Sequence, residues 1–301
     1  MINKSLLEKL KSITAEEERI LGGELNIDKS IYMDKPGDVI SSRKMLPAGK
    51  LIDVRPHTRF VCFPKHTHDF VEIVYMCSGS TTHIVNGNKI ILKEGELLLL
   101  CQGATQEIMA AELEDVAVNF IILPEFFDEM LKMMGEEDTP LRKFIVDCLK
   151  NNRANTGYLH FQVADVLPVQ NLIENLILTL TDDISYKRSI NQLTMGLIFI
   201  HLLNSADRLV SQAEDERVIV KVLGYIEESY KSGSLNKLAE ILHYDVSTLS
   251  RMIKKETGKN YTDLIQEKRL SQACYLIKNT DMNIDEASLT FSAIFAGTYP
   301  R

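Results

Sequence analysis

Between about Asp53 and Leu123 the apolar positions come in short, β-branched runs: FVEIVYMC, THIVNG, KIILKEGELLLLC and VAVNFIIL. Turn residues separate them at Ser78-Gly79-Ser80, Asn86-Gly87 and Glu94-Gly95. Asn-Gly between two such runs is a strong hairpin signal, and short strands at this spacing predict a sandwich or a small barrel. Ahead of them, residues 1 to about 22 read as one amphipathic, charged helix closed by Gly22-Gly23, which is not the pattern of a secretory leader. After Pro124 the period becomes helical. Val169, Leu172, Ile173, Leu176, Ile177 and Leu180 form one apolar stripe; Ile190, Leu193, Leu197, Ile200 and Leu203 form another. Two such helices either pack on the barrel or make a two-fold dimer contact. The breadth of the stripes favours a dimer. The polar stretch ADRLVSQAEDE, 206–216, predicts an interdomain linker.

From Leu235 to Thr280 the pattern changes again. Leu235, Leu238, Ala239 and Leu242 share a helical face, a break follows at His243-Tyr244-Asp245, and a second helix opens with Asp245 as its N-cap. Leu249, Met252 and Ile253 point inward; Ser247, Ser250, Arg251, Lys254 and Lys255 are left outward, and Gly258 supplies the left-handed end. A long helix from Tyr261 to about Asn279 comes next. A basic helix held against a first helix by a small-residue contact is the layout of a helix-turn-helix DNA reader. An amphipathic hairpin with a solvated basic face has the same local pattern.

Charge sharpens the division. The 301 residues carry a net charge of −8, unevenly: +2 from Arg217 onward and −10 before it. An acidic body with a mildly basic end suits a sensor joined to a DNA-binding domain. Five scattered cysteines without CxxC spacing predict reduced thiols and a cytoplasmic protein. The most apolar helical run, LTMGLIFIHLL at 193–203, is too short for a bilayer, which needs about 20 residues.

Within the β segment, HTHDFVE places His66, His68 and Glu72 at one parity, all pointing to one side if they share a strand. Two imidazoles and a carboxylate permit three uses: mutually hydrogen-bonded barrel residues, a small-molecule pocket, or a divalent-metal half-site. The spacing, with Gly79 after it, resembles the first cupin motif, H-x-H-x3-E-x6-G. The second motif, G-x5-P-x-G-x2-H, lines up with Gly95, Cys101, Gly103 and Gln106, so cysteine replaces proline and an amide replaces the fourth ligand. The preferred reading is an effector site of His66, His68, Glu72 and Gln106. No phosphate loop or nucleophile–base pair stands out, and no cofactor or enzymatic activity is expected.

The whole arrangement resembles the AraC/XylS family of bacterial transcription regulators, most closely over LAEILHYDVSTLSRMIKKETGKNYTDLIQEKRLSQACYLIKNTDMNIDE, residues 238–286. The resemblance implies an α+β chain: a cupin-like β-barrel with an N-terminal helix over 1–165, a helical dimerisation segment over 166–210, and an all-α helix-turn-helix domain over 217–301. It implies a homodimer that binds double-stranded DNA and a small-molecule effector, a sugar among the candidates. By position, Ser247, Ser250 and Arg251 would face base edges, with Arg251 suited to guanine. Lys254, Lys255 and Thr248 would hold phosphates. His243 stands where such turns usually carry glycine. MNIDE at 282–286 resembles the start of a second reader unit, but ASLTFSAIFAGTYPR, which follows, has no lysine and one arginine; the expectation is that the second recognition helix is missing. A metal-dependent cupin enzyme with a vestigial tail is the alternative, as is a truncated partner that dimerises without binding DNA.

Overall fold

The computed structural model describes residues 2–24, 26–35, 37–128, 131, 140–149, 157–182, 184–210 and 214–279. They form two compact units, one through Val210 and one beyond it. The expected second reader unit lies outside the described residues.

The first unit begins with α1 (Lys4–Lys11) and α2 (Ala15–Leu21). The single helix expected over the first 22 residues is therefore two. Thr14 breaks it, because its side chain accepts from the Glu17 amide while Glu17 accepts from the Thr14 amide, a reciprocal cap that starts a new helix. Short helices α3 (Lys29–Tyr32) and α4 (Ser42–Met45) flank β1 (Val39–Ile40). Eight strands follow: β2 (Ile52–Pro56), β3 (Phe63–His68), β4 (Val71–Ser78), β5 (Ser80–Val85), β6 (Asn88–Lys93), β7 (Leu97–Leu100), β8 (Gln106–Ile108) and β9 (Val116–Ile122). Helix α5 (Pro140–Leu149), β10 (Tyr158–Phe161), α6 (Leu167–Thr181), α7 (Lys187–Asn204) and β11 (Leu209–Val210) complete the unit.

The strands make two sheets, ordered β1-β3-β8-β5-β6 and β11-β10-β7-β4-β9-β2. β4 and β7 bury nearly every side chain, which is why β7 is wholly apolar and β4 nearly so, with Glu72 the charged exception. Asn86 and Gly87, at φ 52° and 83°, close the β5–β6 hairpin with two left-handed residues, as Asn-Gly turns require. Gly79 and Gly95, the glycines that aligned with the cupin motifs, are needed for room as well as for positive φ. A Cβ at Gly79 would clash with the Asp115 side chain, and one at Gly95 would meet Ala164 at 2.7 Å.

Helix α6 buries Val169, Ile173, Leu176, Ile177 and Leu180, the stripe read from its sequence. Its Gln170 ties the helix to the sheet, donating to the Gly95 and Val163 carbonyls and accepting from the Tyr75 hydroxyl at 2.5 Å. Helix α7 packs with α6 but turns a different face inward: Met195, Ile198, Phe199 and Leu202. Its other stripe stays open, with Leu193 and Leu197 exposed and Ile190 and Ile200 half-buried. No helix among the described residues is long and apolar enough to cross a membrane.

The second unit holds α8 (Glu214–Ser229), α9 (Leu235–Leu242), α10 (Val246–Thr257) and α11 (Tyr261–Asn279). Val222, Ile226, Leu238, Ala239, Leu249, Ile253, Leu264 and Ile265 close one core. Lys268 on α11 reaches Glu227 on α8 at 2.6 Å.

One ion pair anchors the N-terminal helices to the sheets. Arg59 and Glu17, both nearly inaccessible, meet at 2.7 and 3.0 Å, and Arg59 also donates to the Leu113 and Lys11 carbonyls. Removing one partner strands the other charge without water. Arg59→Ala is therefore expected to lower stability by about 3–5 kcal/mol in urea unfolding, and the double change Arg59→Met with Glu17→Met to recover most of it.

Candidate functional site

β2, β9 and β4 lie side by side in the second sheet, with Arg55 opposite Asn119 and Glu72 opposite Ile121. Alternation along β2 sends Arg55, and His57 just beyond the strand, to the same face. There they line a cavity of about 320 Å³, at the small end of the range for small-molecule pockets. The lining combines polar side chains, Arg55, His57, His66, Glu72 and Asn119, with apolar ones, Ile31, Ile40, Phe63, Phe70, Ile108 and Ile121. The start of α2, through Thr14, Ala15 and Glu16, and Tyr32 from α3 complete the lining.

His66, His68 and Glu72 do not share a strand, as parity had suggested. β3 ends at His68 and the chain bends at Asp69-Phe70, where the Asp69 carboxylate accepts from the Ser42 amide at 2.6 Å. Glu72 begins on β4, in the other sheet. His66 and Glu72 face the cavity; His68 and Gln106 are buried but absent from its lining. Sequence parity had not drawn in Arg55, His57 or Asn119. The alternation in DVRPH would have put Arg55 and His57 on one face; only strand register could bring Asn119 to them.

Two hydrogen-bond chains organise the polar interior. In the first, His57 Nδ1 donates to Asn119 Oδ1 at 3.0 Å, and Asn119 Nδ2 donates to Glu72 Oε1 at 2.9 Å. This leaves His57 Nε2 and Glu72 Oε2 buried and without hydrogen-bond partners, on residues that face the cavity. In the second, His66 Nδ1 donates to the Pro64 carbonyl at 2.7 Å, its Nε2 meets the Gln106 amide at 3.1 Å, and that amide meets His83 Nδ1 at 3.0 Å. His83 Nε2 continues to the Thr81 hydroxyl at 2.9 Å. Since a carbonyl can only accept, the neutral His66 ring carries its proton on Nδ1, and Gln106 must turn its NH2 to His66 and its oxygen to His83.

That second chain bears on metal binding. A transition metal needs a bare imidazole nitrogen, yet both His66 nitrogens are engaged, one of them by the residue at the fourth-ligand position of the cupin pattern. Among the described residues no three His, Cys, Asp or Glu side chains are grouped to hold a metal ion. The donor set does not fit the cupin metal centre, and no chemistry is routed through one.

In the second unit, His243 takes the left-handed conformation, φ 57° and ψ 39°, in the turn position where glycine is usual. Asp245 caps α10, accepting from the Ser247 and Thr248 amides at 3.1 and 2.8 Å; hydrogen bonds from Thr248 and then Ser247 hold its carboxyl well below the usual range. Ser247, Arg251, Lys254 and Lys255 are exposed along α10, while Thr248 and Ser250 are half-buried. The Arg251 guanidinium lies over the helix, 3.4 Å from the Ser247 carbonyl and the Thr248 hydroxyl.

Burial sets the ionisation of the barrel site. It pushes the Glu72 carboxyl up to about 7 and the His66 imidazole down to about 4; His57, His68 and His83 are also lowered, desolvation leading in each. A carboxyl raised on folding adds stability that is complete below its unfolded value, near 4.5, and lost as pH rises through about 7. The lowered histidines act oppositely, losing stability as pH falls below 6.5. Glu72→Gln should therefore match the wild type near pH 4 and exceed it above pH 7, by roughly 3 kcal/mol, as read by chemical unfolding at each pH. A constant difference across that range would contradict the assignment.

Comparison with known proteins agrees with this architecture. Residues 54–198 match the AraC-like ligand binding domain. The chain is similar to the HTH-type transcriptional activator RhaS of Mannheimia succiniciproducens, 25% identical over 237 residues that span 77% of this chain and 82% of that one. It is likewise similar to the HTH-type transcriptional activator RhaR of Escherichia coli, 23% identical over 234 residues, 75% and 77% of the two chains. Among solved structures, apo ToxT of Vibrio cholerae matches at 15% identity and a TM-score of 0.37, covering 82% of this chain and 92% of that one. Residues 54–198, the barrel with most of its two following helices, thus match an AraC-like ligand-binding domain, and over about three quarters of its length the chain is similar to HTH-type transcriptional activators.

Proposed function

We propose that this protein is an effector-responsive, sequence-specific DNA-binding regulator of the cytoplasm, whose barrel takes a small polyhydroxylated molecule of the sugar class. The observation that carries the reading is the pairing, in one chain, of an AraC-like ligand-binding domain with a helix-turn-helix whose second helix exposes Arg251, Lys254 and Lys255. In the barrel, unpartnered acceptors on Glu72 and His57 call for hydroxyl donors, and the apolar side chains of the same lining suit the C–H face of a sugar ring. His66 contributes at the cavity edge; His68 and Gln106 act through it and through Glu72 rather than by touching the ligand. On DNA, Arg251 and Ser250 reach base edges, with Ser247 beside them, and Lys254, Lys255 and Thr248 hold phosphates.

The open stripe of α7 (Ile190, Leu193, Leu197, Ile200) is the surface of a homodimer, since the buried face of the helix is already used against its own unit. Effector binding then shifts the balance between dimers that present two reader helices compatibly with DNA and those that do not.

Sequencing the DNA fragments retained by the full chain should reveal an enriched motif. Arg251→Ala should weaken retention of that motif by about 10- to 100-fold, while Lys254→Ala should weaken all sequences alike and flatten the salt dependence by about one phosphate. Retention with no motif in the wild type would sink the reading. Leu193→Glu with Leu197→Glu should convert a dimer to a monomer in sedimentation analysis; a wild-type monomer would remove the dimer from the proposal.

A further inference from the structure

The first unit holds two arginines at or near the cavity, and they are treated very differently by their surroundings. Arg59 spends its donors on a carboxylate and on carbonyls: two bonds to Glu17, one to Leu113 and one to Lys11. Arg55 lines the cavity and is half-buried, yet its only hydrogen bond among the described residues runs from Nη1 to the Met45 thioether at 3.0 Å. A thioether is a weak acceptor, and a guanidinium offers five donors in a fork shaped for a carboxylate. No carboxylate of the described residues lies within ion-pair distance of it. Glu16, a carboxylate of the same lining, accepts with one oxygen from the Tyr32 hydroxyl at 2.6 Å and the Thr58 hydroxyl at 3.4 Å and leaves the other unpartnered.

The cavity thus holds both unspent donors and unspent acceptors. Arg55 supplies unspent cationic donors; Glu16 Oε1, His57 Nε2 and Glu72 Oε2 supply unspent acceptors. A neutral sugar would meet the acceptors through its hydroxyls but leave the guanidinium fork without its best partner. From this we infer that the effector is a sugar acid, a polyhydroxy carboxylate. Its carboxylate sits bidentate on Arg55 and its hydroxyls donate to Glu72, His57 and Glu16. This rests on the reading of the cavity as the effector site and adds the charge of the ligand to it. The small volume limits the ligand to about a single ring.

The test uses the full chain and two sets of compounds: five- and six-carbon uronic and aldonic acids, and the aldoses and alditols that match them carbon for carbon. Thermal shift screens both sets, and calorimetry measures the binders. At least one acid should bind at least tenfold more tightly than its neutral counterpart. Arg55→Gln should remove that advantage, and Arg55→Lys should restore part of it, keeping the charge but losing the fork. Unliganded unfolding midpoints of both variants establish that they are folded. Binding of neutral compounds as tight as that of acids, unaffected by Arg55→Gln but lost in Glu72→Ala, would overturn the sugar-acid inference while leaving the effector site in place. Binding by neither set would overturn the inference and, with it, the sugar-class reading of the cavity. An acid that binds equally well to Arg55→Gln would overturn the assignment to Arg55.

Discussion

Withdrawal of polar groups from water is the constraint on which the ligand-binding unit is built. His57, His66, His68, His83, Glu72 and Gln106 are all nearly inaccessible, so each must find a partner inside or remain uncharged. Two amides solve most of this. Asn119 joins His57 to Glu72, and Gln106 joins His66 to His83, each amide offering one donor and one acceptor in fixed opposition. A ring nitrogen or carboxylate oxygen that these chains do not reach is left as an open demand: His57 Nε2, Glu72 Oε2 and Glu16 Oε1 on residues that line the cavity, and both nitrogens of His68 away from its lining.

The same logic explains why the N-terminal helices belong to the site. The Glu17–Arg59 pair fixes α2 against the loop after β2, and the reciprocal cap at Thr14 sets where α2 begins. Glu16 is thereby brought to the cavity lining, with Tyr32 and Thr58 both donating to it. Packing, capping and ligand chemistry are carried here by the four consecutive residues 14–17, so a change at Glu17 would be felt at Glu16.

Much of this could be read from residues in order. The β-branched runs, the Asn86-Gly87 turn, the apolar face of α6 and the Asp245 and Gly258 ends of α10 are local signals, and the structure forms each of them from its neighbours alone. The site was legible only in part. His66 and Glu72 stood out by type and spacing, but the bend at Asp69-Phe70 that sends them to different sheets is a tertiary matter. Asn119 meets His57 across 62 positions of sequence, and no periodicity encodes that. The opposite faces of α7 are both apolar, so the helical period could not say which of them packs on α6.

The cap of the reader helix has a consequence for how that helix can lie on a nucleic acid. A helix N-terminus is by default a cradle for an anion, its free amides pointing at the oncoming charge. In α10 that cradle is already filled, since Asp245 places one carboxylate oxygen on the Ser247 amide and the other on that of Thr248. A DNA phosphate approaching this end would meet a fixed negative charge instead of empty amides. The phosphate contacts proposed for α10 would then fall to side chains, Lys254 and Lys255 on its far turn and the Thr248 hydroxyl, and not to the amides of its first turn, so that a residue whose first duty is to start a helix also decides which atoms are left for the duplex backbone.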